Sequence, residues 1–500
     1  MTSVEEPRPR PIVKVLRPED AVPAADGRPV QSTIYRYDTL MVFSKDWADG
    51  FDTFVEETLS DIGLAVDPPS SCHKSPLPGA GKRLTRGVPQ VIRLRPRRDA
   101  PPVAPVDAWR ALQHVRFEAA RCGRSRFHER AERMSLEHIL WSTTAPGDEE
   151  SQGLPGCEGH CENVASGSPG RVPVAVLAPA PMRTPSADRT GRRPVVAVLD
   201  TPIGPHDWLP ARSDRPQDYV VDDSIPQGGP EDVTDPLVGR LRSHAGHGTF
   251  IAGIIRQVAP EATVLSIPVM HGDGYALNSA VAGALSMIYD RVTAPAPGPP
   301  HGPGPDPAKF VDVVLLALGY YPETSAAAQS SILKPVLRDL ANAGVAVVAA
   351  AGNDATGREC YPAAFSVENG WPVPVNSVGA LNPNGTRAIF SNEATSEPPA
   401  DWVTRWERGV AIVSTFPETF DGARTPELQN TGISPIRESF DPDDFTAGFG
   451  LWHGTSFAAA VYAAKLARAL SEPGRDISAL QPQAVIDRMK GIISSLGPQP

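Results

Sequence analysis

The chain has 500 residues, 41% of them hydrophobic, and a formal net charge of −11. That length accommodates two or three domains with a large buried core, and the acidic balance argues against nucleic acid as the main partner. No apolar run reaches the roughly eighteen residues of a membrane-spanning helix, so no membrane partner is expected.

Five cysteines, Cys72, Cys122, Cys157, Cys161 and Cys360, are too few for a disulfide framework in such a chain. The opening MTSVEEPRPRP carries acids and prolines where a signal peptide has an apolar core. Both features point to the cytoplasm, with non-standard secretion as the other route. The basic stretch from Lys82 to Arg133 interleaves Asp99, Asp107, Glu118, Glu129 and Glu132, which reads as a solvated surface.

Residues 1–33 are Pro-rich and polar and are expected to be a disordered tail. From Tyr35, YRYDTLMVF reads as a strand and DGFDTFVEETLSDIGL as an amphipathic helix. VIRLRPR (from Val91) reads as a half-exposed strand and VDAWRALQHVRFEA (from Val106) as a helix. A third helix is expected near Glu129 to Trp141, then a strand VPVAVLA from Val172. These elements predict a small α+β N-terminal domain over 34–180. A linker over 181–192 follows, then a larger domain over 193–475 and a C-terminal helix and tail over 476–500.

Beyond the linker the pattern changes. PVVAVLD, ATVLSIPVM, VDVVLLALG and GVAVVAAAGN are short and wholly apolar. Runs apolar on both faces indicate strands of a parallel sheet covered by helices. The helices are expected in FIAGIIRQV, LNSAVAGALSMIYD and SILKPVLRDLANAG. TAPAPGPPHGPGPDP (from Thr293) is expected to be a surface loop. The fold class is α/β: a doubly wound, mainly parallel sheet flanked by helices, with the smaller α+β domain before it.

In such sheets the working residues gather at the carboxyl ends of the strands. PVVAVLD ends on Asp200, a carboxylate that needs a partner if buried. GVAVVAAAGN ends on Asn353, whose carboxamide offers two donors. His247 opens an apolar helix in GHGTFIAGIIRQVAP, where Gly253 would allow close approach to the sheet. Ser456 opens a small-residue helix in WHGTSFAAAVYAAKLARAL, where its own N–H and the helix dipole can face developing negative charge. Each alone has a plain structural reading: a turn, a core histidine, a helix cap. Together they supply a nucleophile (Ser456), a base (His247), an orienting carboxylate (Asp200) and an oxyanion donor (Asn353) for acyl transfer.

These segments resemble the subtilisin-like serine protease (subtilase) family. VAVLDTPIGPH is similar to its Asp motif, GHGTFIAG to its His motif, AAAGND to its oxyanion motif and HGTSFAAA to its nucleophile motif. YPAAF, SVGA, AIFSN and VAIVSTFP fall in the family's order between Asn353 and Ser456. The resemblance covers about residues 193 to 470. It implies a serine endopeptidase working through an acyl-enzyme, the alternative being a peptide-binding module of the same fold that does not cut. Ala460 stands where the family usually has proline, a change that touches no chemistry.

The resemblance also implies a substrate-binding set. Ala317, Leu318 and Gly319 would pair with an extended protein or peptide substrate, and Gly272 and Gly274 would form the opposing strand. Ala350, Ala351 and Gly352 would make one pocket wall, with Cys360 near its base, favouring medium apolar side chains. No cofactor is required. Calcium is possible by resemblance, with no ligand set assigned. The acidic stretch Asp218, Asp222, Asp223, Glu231, Asp232 and Asp235 reads as a surface insertion, a substrate flap or calcium site being the sharper reading. Cys157 and Cys161 around His160 read as a solvent-facing loop in preference to zinc. His206, His244 and His453 are assigned no chemistry.

Overall fold

The computed structural model describes residues 13–67, 89–97, 105–142, 170–226, 233–294, 306, 308–393, 401–430, 432, 435–472 and 482–497. Cys72, Cys157, Cys161, His160, Glu231 and Asp232 lie outside them. The chain forms two compact units. The first holds the N-terminal residues up to Leu140 with the segments Leu277–Met287 and Tyr320–Val336. The second holds Trp141–Ala276, Ile288–Gly319 and the chain from Leu337 onward. The division therefore falls at Leu140, well before the linker expected at 181–192.

In the first unit, β1 (Val13–Leu16), β2 (Thr33–Phe43), β3 (Leu64–Val66), β4 (Pro89–Pro96) and β5 (from Ser135) form an antiparallel sheet in the order β5-β2-β4-β3, with β1 on β2. Helices α1 (Phe51–Asp61), α2 (Ala108–Arg121) and α3 (Ser125–Glu132) accompany it. Tyr35, Leu40, Phe51, Trp109, Leu112, Phe127 and Leu136 make its core. Two expectations change. The end of the supposed disordered tail is ordered, because Val13–Leu16 finds open backbone partners along β2. The third helix stops at Glu132, and Ser135–Ser142 (the whole of β5) is a strand, its first six residues all buried. A segment buried on both faces, polar Glu137 and His138 included, has neither the alternation of a half-exposed strand nor the stripe of a surface helix.

The second unit is built on a seven-stranded sheet, β15-β14-β13-β11-β7-β9-β8. Its strands are β7 (Val195–Asp200), β8 (Val221–Asp222), β9 (Thr263–Pro268), β11 (Val313–Leu316), β13 (Ala346–Ala350), β14 (Val375–Leu381) and β15 (Arg405–Arg408). Every pairing in it is parallel. The apolar runs thus form the expected doubly wound sheet. After β9 the chain crosses to the other side of β7, so the crevice at this reversal opens beside the carboxyl end of β7.

Helix α4 (His247–Val258) packs against α8 (Thr455–Leu470). Helix α8 lies across β7, β11, β13, β14 and β15, and its alanines from Ala458 to Ala460 are fully buried. Its small side chains let it run through the interior. The other expected helices form over Asn278–Thr293 (α5) and Leu333–Asn342 (α7, after the short α6 at Ser325–Gln329). Gly253 does allow a close approach, but to β16 (Ile412–Thr415), not to the main sheet. A Cβ at Gly253 would lie 2.2 Å from Thr415 Oγ1. In that contact Ser414 Oγ donates to Phe250 O at 2.7 Å and Thr415 Oγ1 to Thr249 O at 2.8 Å. Strand β16 belongs to a three-stranded antiparallel sheet with β19 (Phe449–Trp452) and β6 (Val172–Val174).

The segment expected to be a linker is tied to this unit. Arg183 donates to Pro260 O at 3.0 Å and Tyr219 O at 3.0 Å, and also to Ala262 O. Arg171 donates to Ala245 O and Arg242 O, both at 2.7 Å. The C-terminal helix α9 (Pro482–Ser495) joins the same core through Ile486, Met489 and Ile492.

An ion cluster fastens α9. Asp312, fully buried, pairs with Arg192 at 2.8 Å and Arg488 at 2.9 Å and accepts the Val195 N–H at 2.9 Å. Burial alone would raise its carboxyl, but the two guanidiniums and the N–H hold it below the ordinary range. A carboxyl depressed in the folded state contributes stability that is complete above its unfolded value near 3.9 and is lost as pH falls through the folded value. Asp312→Ala, which strands two arginines, should cost about 3–5 kcal/mol in urea unfolding at neutral pH. Its deficit relative to wild type should shrink below about pH 3.9, as wild type loses the same contribution.

Candidate active site

Three adjacent parallel strands deliver their carboxyl ends to one place. β7 ends on Asp200, β11 leads into Ala317–Gly319, and β13 leads into Ala351–Asn353. Helix α4 presents His247 at its first turn and α8 presents Ser456 at its own.

Asp200 and His247 are both 0% exposed, a burial that an unpaired carboxylate would not tolerate. Nδ1 of His247 lies 2.8 and 2.9 Å from the two carboxylate oxygens, and Thr201 N–H donates to Asp200 Oδ1 at 2.7 Å. The imidazole is further fixed by Trp452, perpendicular at 5.5 Å between centroids, and Phe457 at 5.3 Å. With Nδ1 committed to the carboxylate, Nε2 is the nitrogen left for proton transfer.

Ser456 is fully buried, and its Oγ lies 3.4 Å from Ala317 O. The residue before it fixes Asn353: Thr455 N–H and Thr455 Oγ–H both donate to Asn353 Oδ1, at 3.0 and 2.9 Å. Thr455 Oγ in turn accepts Gly352 N–H at 3.2 Å. The carboxamide orientation is therefore set, and its Nδ2 is buried with no hydrogen-bond partner among the described residues. Buried donors are rarely left so.

Three residues of the expected substrate-binding set, Gly274, Leu318 and Gly319, meet a strand that the chain itself provides. Trp141 and Ser142, the last residues of β5 and part of the second unit, pair antiparallel with β12 (Leu318–Gly319): Leu318 opposite Ser142, Gly319 opposite Trp141. On the other side Ser142 N–H donates to Gly274 O at 2.6 Å. Ser142 Oγ reaches His247 Nε2 at 3.4 Å. Gly272 lies one step back, its carbonyl accepting His244 N–H at 2.7 Å. The sequence reading missed this occupant, because it took Trp141 as the end of a helix.

Ala350 ends β13, and Ala351 and Gly352 are held by Asn392, which the sequence reading did not single out. Asn392 Nδ2 donates to Ala351 O at 3.0 Å, its N–H to Gly352 O at 2.9 Å, and its Oδ1 accepts Asp354 N–H at 3.0 Å. It is the last residue of AIFSN, so the signal was present. Cys360 is buried against Gly319, and burial pushes its thiol pKa up.

His206, His244 and His453 are each held below the ordinary imidazole pKa, first by burial. His206 bonds Gly448 O at 2.8 Å, and His453 Nδ1 accepts Ala411 N–H at 2.9 Å. The acidic stretch is dispersed among the described residues: Asp222 meets Arg212, Asp223 accepts Ser213 N–H and Asp218 accepts Ser186 N–H.

A Cβ at Gly319 would lie 2.5 Å from Cys360 Sγ and 3.2 Å from Tyr361 O. Gly319→Ala should therefore displace β12 and lower the stability of the fold by about 1–3 kcal/mol in urea unfolding. Adding Cys360→Ala should restore part of the loss, measured as a double-mutant cycle.

A family model described as the subtilase family matches residues 191–490. The minor extracellular protease Epr of Bacillus subtilis (strain 168) is 29% identical over 46% of this chain and 29% of its own length. Subtilisin Savinase of Lederbergia lenta is 27% identical over 49% of this chain and 73% of its own. A solved structure of a cold adapted subtilisin-like serine proteinase aligns with 59% of this chain and 81% of its own, at 18% identity and TM-score 0.35. The cytoplasmic placement expected from the sequence does not stand, since a relative is named as an extracellular protease. With the family match spanning more than half of its residues, this chain belongs to the subtilase family.

Proposed function

We propose that this chain is a serine endopeptidase that cleaves extended polypeptide segments. His247 Nε2 takes the proton of Ser456 Oγ as that oxygen bonds to the substrate carbonyl carbon. The carbonyl oxygen becomes an oxyanion, received by Asn353 Nδ2 and the Ser456 N–H. Imidazolium, steadied by Asp200, then gives its proton to the leaving amine as the C–N bond breaks. Water, deprotonated by the same imidazole, releases the acid and restores Ser456.

One observation carries this reading: Asn353 is clamped by its oxygen to the residue before Ser456 while its buried Nδ2 has no partner. A donor kept ready for charge that appears only during reaction accounts for it. The strand Trp141–Ser142 between Gly274 and Leu318 supports a peptide over a simple ester, since it is gripped through its backbone. Ala350, Ala351, Gly352 and Cys360 form the proposed pocket wall, whose small, buried, uncharged groups favour an apolar side chain.

A fluorophosphonate probe should label wild type and leave Ser456→Ala unlabelled; equal labelling would reject the assignment. Asn353→Ala should lower kcat by about 10²–10³ with KM little changed. Purified wild type should accumulate a Ser456-dependent self-cleavage soon after Ser142. A cut near residues 180–193 is not expected, because Arg183 holds that segment to the second unit. A scan of the residue before the scissile bond should rank medium apolar side chains above Arg and Lys.

A further inference from the structure

The family match begins at residue 191, yet the segment ahead of it is built into the second unit. Strand β6 pairs antiparallel with β19, Val172 opposite Leu451. Arg171 precedes Val172 and Trp452 follows Leu451, so the pairing sets the two side by side. The Arg171 guanidinium lies 5.8 Å from the centroid of the Trp452 ring and 5.8 Å from that of Phe445.

The same guanidinium grips the turn that leads into His247. Its Nη1 donates to Ala245 O at 2.7 Å, and its Nη2 donates to Arg242 O at 2.7 Å and to Leu241 O at 3.2 Å. That turn needs outside support. Helix α4 begins after Gly246, which has a left-handed φ of 86° and no side chain to accept a first-turn N–H, where helices commonly use Ser, Thr or Asp. A Cβ at Gly246 would lie 2.8 Å from Phe416 Cδ1, so a capping side chain has no room there. His247 is the first residue of the helix, and the course of the turn decides where its ring starts. A planar guanidinium presents several donors in fixed directions and can hold three carbonyls together, which a single ammonium does less rigidly. Trp452, on which Arg171 lies, stands perpendicular to the His247 ring at 5.5 Å. Arg171 therefore joins the backbone from which the imidazole projects to the aromatic wall against which it rests.

We propose that Arg171 is a positioning residue for His247, and that the arm carrying it, ahead of the family match, is part of the working peptidase. The proposal rests on the peptidase reading of His247 and Ser456. It also gives the self-cleavage soon after Ser142 a consequence: Arg171 stays on the fragment that holds Ser456.

The test uses the full chain and an internally quenched peptide, with kcat expressed per chain cut soon after Ser142, since an uncut chain keeps Trp141–Ser142 beside His247. Arg171→Met keeps the stem and removes the donors. It should lower kcat roughly 10-fold to 100-fold with KM little changed, as expected when a reacting group is displaced by about 1 Å. Arg171→Lys keeps the charge but not the fork, and its kcat should fall between the two; it carries the test if Arg171→Met does not fold. Asp312→Ala weakens the same unit from the far end of β11 and should keep the wild-type kcat at a temperature where circular dichroism shows it folded. An active wild type whose Arg171→Met variant keeps its kcat, or loses no more than Asp312→Ala, overturns the proposal alone. So does an Arg171→Lys variant with wild-type kcat, because charge and not the grip on the turn would then suffice. A wild type that neither labels with fluorophosphonate nor cuts the peptide overturns the peptidase reading and this proposal with it.

Discussion

The hydrogen bond between His247 Nδ1 and the Asp200 carboxylate is the constraint on which the site depends. It joins two structural layers, the parallel sheet and the helix that covers it. A carboxylate with no exposure at a strand end needs donors, and His247 with Thr201 N–H supplies them. The same bond fixes which imidazole nitrogen faces the cleft. Trp452 and Phe457 then stop the ring from turning away.

Much of this was legible in the sequence for a physical reason. Strands buried on both faces must be apolar throughout, so PVVAVLD, VDVVLLALG and GVAVVAAAGN announce themselves, and each ends on a residue or turn that the apolar run cannot explain. Topology then does what local sequence cannot: it sets β7, β11 and β13 side by side, so that Asp200, Ala317 and Asn353 share one edge.

The parts that were not legible depend on pairing between distant segments. Ser135–Ser142 carries buried residues on both faces, and only its partners distinguish a strand from a buried helix. The placement of Trp141–Ser142 beside His247 rests on bonds to Gly274 and Leu318, far along the chain. Asn392 is hidden in the same way, since its role is to tie Ala351, Gly352 and Asp354 together. Composition marked 181–192 as a linker, and composition does not register the bonds that Arg183 makes to distant carbonyls.

The central helix from Thr455 to Leu470 also limits how the molecule can change. Ala458, Ala459 and Ala460 have no exposed surface, and their helix lies across five strands of the sheet. Enlarging any of them in a close-packed interior would overpack it, at a cost of typically about 1–3 kcal/mol. Change in this family member is thereby channelled into the connecting loops, which can be rewritten without disturbing the seat of Ser456.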